Sequence, residues 1–283
     1  MITGSLRRGV VATAALALTG LLALSACGDD DGGGSKAQPK VPGVKLVKNG
    51  QLTVCTNIPY EPFQFNQGGK VVGFDVDLMD QVAKKLGVTQ KIIDIDFDAI
   101  KSGTALNAGR CDVAAAGMTI TPERKANLDF SIPYFDEVLG IMAKKGSGVK
   151  TLDDVKAKNL RLAVQKGTTS LDYAKGKGFD PKVGNNSGLQ LQIMQSNQAD
   201  VALQDLPVID GWLRKGDIAS KYELVGQVQT GAQYGFAVKK GGAPELLKTI
   251  DETLKASFTD GSWKASFVKW MKAEPASTPK QPS

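Results

Sequence analysis

Ala116-Gly117-Met118-Thr119-Ile120-Thr121-Pro122-Glu123-Arg124 closes an apolar strand, turns on a glycine and opens a helix. The strand covers 113–116, Gly117 leaves the backbone open to close approach, and Thr121 followed by Pro122 is the pattern of a helix N-cap with proline in the first helical position. Arg124 then falls in the first turn. A cation is disfavoured at the positive end of a helix, so an arginine there calls for an anionic partner. Its planar fork can hold two carboxylate oxygens at once. Read alone, the motif fits equally a surface arginine paired with Glu123 or Asp129.

Working outward, the pattern alternates strands and helices. Upstream come a strand at 52–56, a hairpin around Gln67-Gly68-Gly69, a helix started by Asp75 and stopped by Gly87, a strand at 91–95 and a helix at 99–108. Beyond Arg124 the pattern restarts, with strands at 138–143, 161–164 and 199–203 alternating with helices at 152–157, 169–175, 188–195 and 207–215. A strand at 234–238 and helices at 244–258 and 262–271 close the chain. Two α/β units with largely parallel sheets follow, and the default ligand site is the crevice outside the strand ends between them.

The ends carry other signals. Arg7 and Arg8 precede an apolar run at 10–23 that is shorter than the roughly 20 residues of a membrane span. Leu24-Ser25-Ala26-Cys27 follows, and the whole resembles a bacterial lipoprotein signal, which implies cleavage before Cys27 and a lipid on its sulfur. An uncleaved anchor is the alternative; either places the rest of the chain outside the cytoplasm, at a membrane surface. The stretch after Cys27, rich in glycine and aspartate, reads as a tether. Formal charge is +6, which loss of Arg7 and Arg8 lowers to +4, and lysines occur as scattered pairs, so no nucleic-acid footprint is indicated. The chain has no histidine, which excludes Ser-His-Asp and Cys-His nucleophiles and histidine-ligated metals. Outside the cytoplasm the remaining pair, Cys55 and Cys111, reads as a disulfide, or else as two buried small apolar residues.

Six stretches, Tyr60-Glu61-Pro62-Phe63-Gln64-Phe65, Val72-Gly73-Phe74-Asp75-Val76-Asp77-Leu78, the Ala116 to Arg124 segment, Asp129-Phe130-Ser131, Gly167-Thr168 and Gln204-Asp205-Leu206-Pro207, occur in an order and spacing that resemble the polar amino acid-binding lipoproteins of bacterial ABC importers, the family 3 solute-binding proteins. The resemblance runs from about Gln51 to Met271 and implies an α/β, two-lobed type II periplasmic-binding fold with the ligand in the inter-lobe cleft and two hinge strands. It divides the chain into a lipoprotein signal peptide (1–26), a tether (27–45), a first lobe (46–133), a hinge (134–138), a second lobe (139–228), a second hinge (229–233), a return segment to the first lobe (234–273) and a disordered tail (274–283).

Carried over residue by residue, the resemblance makes Arg124 the grip on the ligand α-carboxylate, helped by Thr119 and by amides of Gly167-Thr168-Thr169 at a helix start. Asp205 takes the α-ammonium with the Gly117 carbonyl, and Tyr60 and Phe97 sandwich the side chain. Asn57 stands where many relatives carry an aspartate, and Gln165 where some carry a lysine. Two amides in place of charges favour a neutral polar side chain such as glutamine's, since a cation loses its counter-charge. Glu61 nearby keeps a basic amino acid open, and Glu61 or Asp205 keeps open an enzyme of the cyclohexadienyl dehydratase kind. The expectation is a monomeric, lipid-anchored binding protein that hands a free amino acid to an ABC permease, with no cofactor or metal and no catalysis.

Overall fold

The computed structural model describes residues 38–281. Cys27 and the leader and most of the tether lie outside the described residues. Two five-stranded sheets organise the chain. In the first, Thr89–Asp94, Gln51–Thr56 and Val113–Ala114 run parallel, and Ala237–Lys239 and Leu128–Phe130 complete it antiparallel. In the second, the order is Tyr222–Tyr234, Phe135–Lys144, Val201–Asp205, Leu162–Gln165 and Lys182–Gly184, with the first three antiparallel and the last three parallel. Both sheets are therefore mixed. Each takes an antiparallel strand because the chain crosses between lobes on Phe135–Lys144 and returns on Tyr222–Tyr234, and those two strands pair along their length, with register shifts between Leu224 and Gly226 and between Gln229 and Gln233.

The helix Phe74–Leu86 ends as its sequence predicts, on Gly87 in the left-handed region (φ 70°). Its start differs. Gly73 is the N-cap, and Asp75 turns its side chain inward instead of capping. The helix expected over 99–108 is two short helices, Phe97–Lys101 and Thr104–Asn107, broken at Gly103 with φ 76°. Phe97, in the gap between the expected strand and helix, opens the first of them behind an Asp96 cap. Cys55 and Cys111 are bonded, with Cα atoms 5.7 Å apart, tying the strand Gln51–Thr56 to the start of its central neighbour Val113–Ala114.

An aromatic core holds the crossing region. Tyr134 stacks on Phe236 at 4.1 Å, Phe135 on Tyr234 at 5.3 Å, and Phe63 meets Phe135 edge-on at 5.0 Å. The closing helix Ser262–Met271 returns to the first lobe, where Trp270 Nε1 and Ser266 Oγ both donate to Asp77. Residues 274–281, read from sequence as a disordered tail, run back over the crossing strands: Pro279 is buried, Lys280 O accepts from Gln233 at 3.0 Å, and Gln281 donates to Pro133 O at 3.2 Å.

Candidate functional site

Thr121 caps the helix Pro122–Asn127, its hydroxyl accepting the Arg124 N–H at 3.2 Å. That fixes where the Arg124 side chain leaves the backbone. The guanidinium does not meet Glu123 or Asp129; Asp129 binds Lys240 and the Gly241 amide. Arg124 is instead 5% exposed, donating to Thr119 O at 2.7 Å and, across to the second lobe, to Gly167 O at 3.2 Å. Its Cζ lies 5.4 Å from the Phe97 ring centre. Burial lowers its pKa, opposed by the charges of Glu137, Asp172 and Asp205. A desolvated guanidinium whose hydrogen bonds go only to neutral carbonyls keeps its attraction for an anion.

The second lobe supplies the opposite charge. Asp205 is the last residue of its strand and is 4% exposed. Tyr60 of the first lobe and Tyr234 of the returning strand both donate to its Oδ2. Burial, and then the charge of Glu137, pushes the Asp205 carboxyl up to about 7, while the tyrosine bonds and Arg124 pull it down. Thr168 caps the helix Thr169–Gly176 by accepting the Leu171 N–H at 3.3 Å, which leaves the first amides of that helix without intrahelical acceptors.

Two carboxylates that sequence reasoning did not assign complete the charge pattern. Glu137, on the outgoing strand, accepts at one oxygen from Thr119 Oγ1 (2.6 Å) and Thr169 Oγ1 (2.8 Å), one threonine from each lobe; its second oxygen is buried without a partner. Asp75, read as a helix-start residue, accepts the Gly117 N–H at 2.8 Å and the Tyr134 hydroxyl at 2.8 Å. It thereby fixes the turn on which the Thr119 to Arg124 segment is hung. Gly117 has φ 54°, and a Cβ there would sit 2.8 Å from the Tyr60 ring, so the close approach is made by Tyr60 itself.

At the far end Gln165 Nε2 donates to Asn57 Oδ1 across the lobes at 3.3 Å, and Asn57 is held by the Ile95 carbonyl at 2.9 Å. All ten residues assigned from sequence gather in this cleft: Asn57, Tyr60, Phe97, Gly117, Thr119, Arg124, Gln165, Thr168, Thr169 and Asp205 line one cavity of about 10 Å³. That is room for one water, so the lobes must part before anything larger enters. Glu61 is not among its walls; it pairs with Lys215 of the other lobe at 3.4 Å. At the rim Lys166 and Asp98 also bridge the lobes, at 2.8 Å.

Two lobes joined by two strands, with a buried guanidinium on one wall of the cleft and a buried carboxylate on the other, define a clamshell binding protein. The comparisons agree: residues 52–273 match the bacterial extracellular solute-binding proteins, family 3, and the chain belongs to that family. It is 31% identical over 258 residues to the arginine-binding extracellular protein ArtP of Bacillus subtilis (strain 168), covering 89% of this chain and 94% of that one. It is also 31% identical over 276 residues to the ABC transporter glutamine-binding protein GlnH of the same organism, covering 94% and 98%. Among solved structures, an ancestral arginine-binding protein bound to glutamine superposes with a TM-score of 0.72 at 37% identity, covering 79% of this chain and 98% of that one. Among the described residues no helix is long and apolar enough to cross a membrane.

Proposed function

We propose that this chain is the lipid-anchored, extracytoplasmic receptor of an ABC permease, a binder and not a catalyst, which captures a polar L-amino acid by closing its lobes about residues 134–138 and 229–233. The observation that carries the reading is the placement of buried Arg124 and buried Asp205 on opposite walls of one cleft. An α-carboxylate at Arg124 and the Thr168-Thr169 helix start, with an α-ammonium at Asp205, gives each end of a zwitterion a counter-charge only when both lobes are engaged. Ligand and closure are then linked: whatever binds both walls shifts the population toward the closed form. The uncharged pair Asn57 and Gln165 at the side-chain end favours a glutamine-like ligand.

A second reading has its own support. Glu137 gives the cleft region two carboxylates against one guanidinium, and ArtP binds arginine by name. A basic amino acid is the ligand that balance favours. Calorimetric titration of the twenty amino acids tests both readings, and Arg124→Ala tests the grip: binding is lost while the ligand-free protein melts nearly as before. Retained affinity in Arg124→Ala overturns the carboxylate assignment.

A further inference from the structure

Gln190 lies on the helix Ser187–Gln195, behind the cleft, and is fully buried. Its Nε2 donates to two main-chain carbonyls, Ala163 at 3.0 Å and Leu203 at 3.1 Å. These belong to the neighbouring strands Leu162–Gln165 and Val201–Asp205, which Gln190 clips together at the end of their registered pairs, of which Ala202 with Ala163 is the last. With both amide protons committed to carbonyls, Gln190 Oε1 has to face away from them.

That oxygen accepts from Gln204 Nε2 at 2.8 Å, and the same nitrogen donates to Gln165 Oε1 at 3.2 Å. Gln204 Oε1 accepts the Asp205 N–H at 2.8 Å. A flipped Gln204 would set oxygen against oxygen at Gln190 and at Gln165, and nitrogen against the Asp205 amide, so its orientation is forced. Gln165 therefore turns Nε2, a donor, into the cleft. Opposite it, Asn57 gives Nδ2 to the Ile95 carbonyl and turns Oδ1, an acceptor, inward.

We propose that this chain of amides, anchored at Gln190, makes the cleft select a carboxamide side chain, with Gln190 and Gln204 as positioning residues that never touch the ligand's amide. The inference rests on the amino-acid reading above. A carboxamide entering between Gln165 and Asn57 accepts from one and donates to the other, replacing one 3.3 Å bond with two. A carboxylate brings only acceptors and faces Asn57 Oδ1 unpaired; a guanidinium or ammonium brings only donors and faces Gln165 Nε2 unpaired. Sites that leave a buried polar group unmatched discriminate strongly. Glu137 does not reverse this preference. It lines an adjoining cavity on the hinge side that shares Arg124 and Thr169 with the cleft, and its bonds are to Thr119 and Thr169 rather than to Asn57 or Gln165.

The test is calorimetric titration of glutamine, glutamate and arginine into the wild type, Gln190→Met and Gln165→Met. In the wild type glutamine binds tightest, by about tenfold or more over each charged competitor. Gln190→Met, similar in shape but unable to orient Gln204, lowers the glutamine advantage about tenfold while amino acids still bind. Should that variant fail to fold, Gln165→Met removes the donor at the cleft wall and shows the same loss. A wild type that prefers arginine or glutamate overturns the carboxamide preference and leaves the amino-acid reading standing; failure to bind any of the twenty overturns that reading itself. Variants whose affinities all fall together, with the ratios unchanged, overturn the amide chain as the source of selectivity.

Discussion

Tyr60 and Asp205, 145 residues apart and on opposite lobes, are joined by a hydrogen bond in which the phenol donates to the carboxylate. The carboxylate read as the ammonium site is thus already partnered in the closed form, by a residue that must leave it when the lobes part.

Tyr60→Phe keeps the ring against Phe63 at its 5.8 Å spacing and removes only this donor. The ligand-free closed form loses one charge-assisted cross-lobe bond, of order 1.5–3 kcal/mol, and its population falls by tenfold or more. Small-angle X-ray scattering of the ligand-free variant is expected to give a larger radius of gyration than the wild type, with the difference abolished at saturating ligand. Equal radii would show that this bond does not bias closure.

Two buried acids set a pH dependence. Asp205 and Asp75 are each raised to about 7, in both cases chiefly by burial. A raised carboxyl keeps its proton in the folded state where the unfolded chain has lost it, so the folded state binds more protons between about pH 4 and pH 7. Stability therefore falls as pH rises through that window and levels off above it, by at most about 4 kcal/mol per group. Melting of the ligand-free protein between pH 5 and pH 8 checks this. Asp205→Asn, which cannot titrate, should flatten part of the slope; an unchanged slope would assign the effect elsewhere. The same sign makes an ammonium ligand release a proton from Asp205 at pH 6, visible as a buffer-dependent binding enthalpy.

The parts of this molecule legible in the sequence are those governed by local rules. Thr121 and Pro122 announce a helix start, and Gly87 a helix stop. What escaped was decided by distant partners. Asp75 carries the signature of a helix-start carboxylate, and only the fold brings Gly117 and Tyr134 to it. Glu137 sits in an apolar strand where nothing nearby in sequence marks it, because its two threonines come from different lobes. The strand Tyr222–Tyr234 is half-exposed along most of its length and interrupted by two glycines, which erases the alternation a strand is recognised by. The mixed sheets escaped for the same reason, since strand direction is set by distant partners: Phe135–Lys144 runs antiparallel to both Tyr222–Tyr234 and Val201–Asp205, and Ala237–Lys239 runs antiparallel to both of its neighbours in the first sheet.

The Cys55–Cys111 bond gives the last prediction. It closes a loop with a sequence separation of 56 residues, and the cross-link restricts the unfolded chain far more than the folded one. A loop of that length corresponds to about 4 kcal/mol in the chain-entropy picture, and measured losses run to about 2–5 kcal/mol. The bridge lies on the first lobe, near the end of the strand Gln51–Thr56 that leads to Asn57, and neither cysteine lines the cleft. Cys55→Ser with Cys111→Ser, or reduction of the native protein, should lower the melting temperature by roughly 5–15 °C. Ligand affinity at 25 °C should change little, because the cleft walls are held by the strand pairing and by the Asp75 bonds rather than by the sulfurs. A melting temperature unmoved by reduction would mean that the unfolded chain gains nothing from release of the loop, and an affinity lost with the bridge would place the first strand's position, and with it Asn57, under the control of the disulfide.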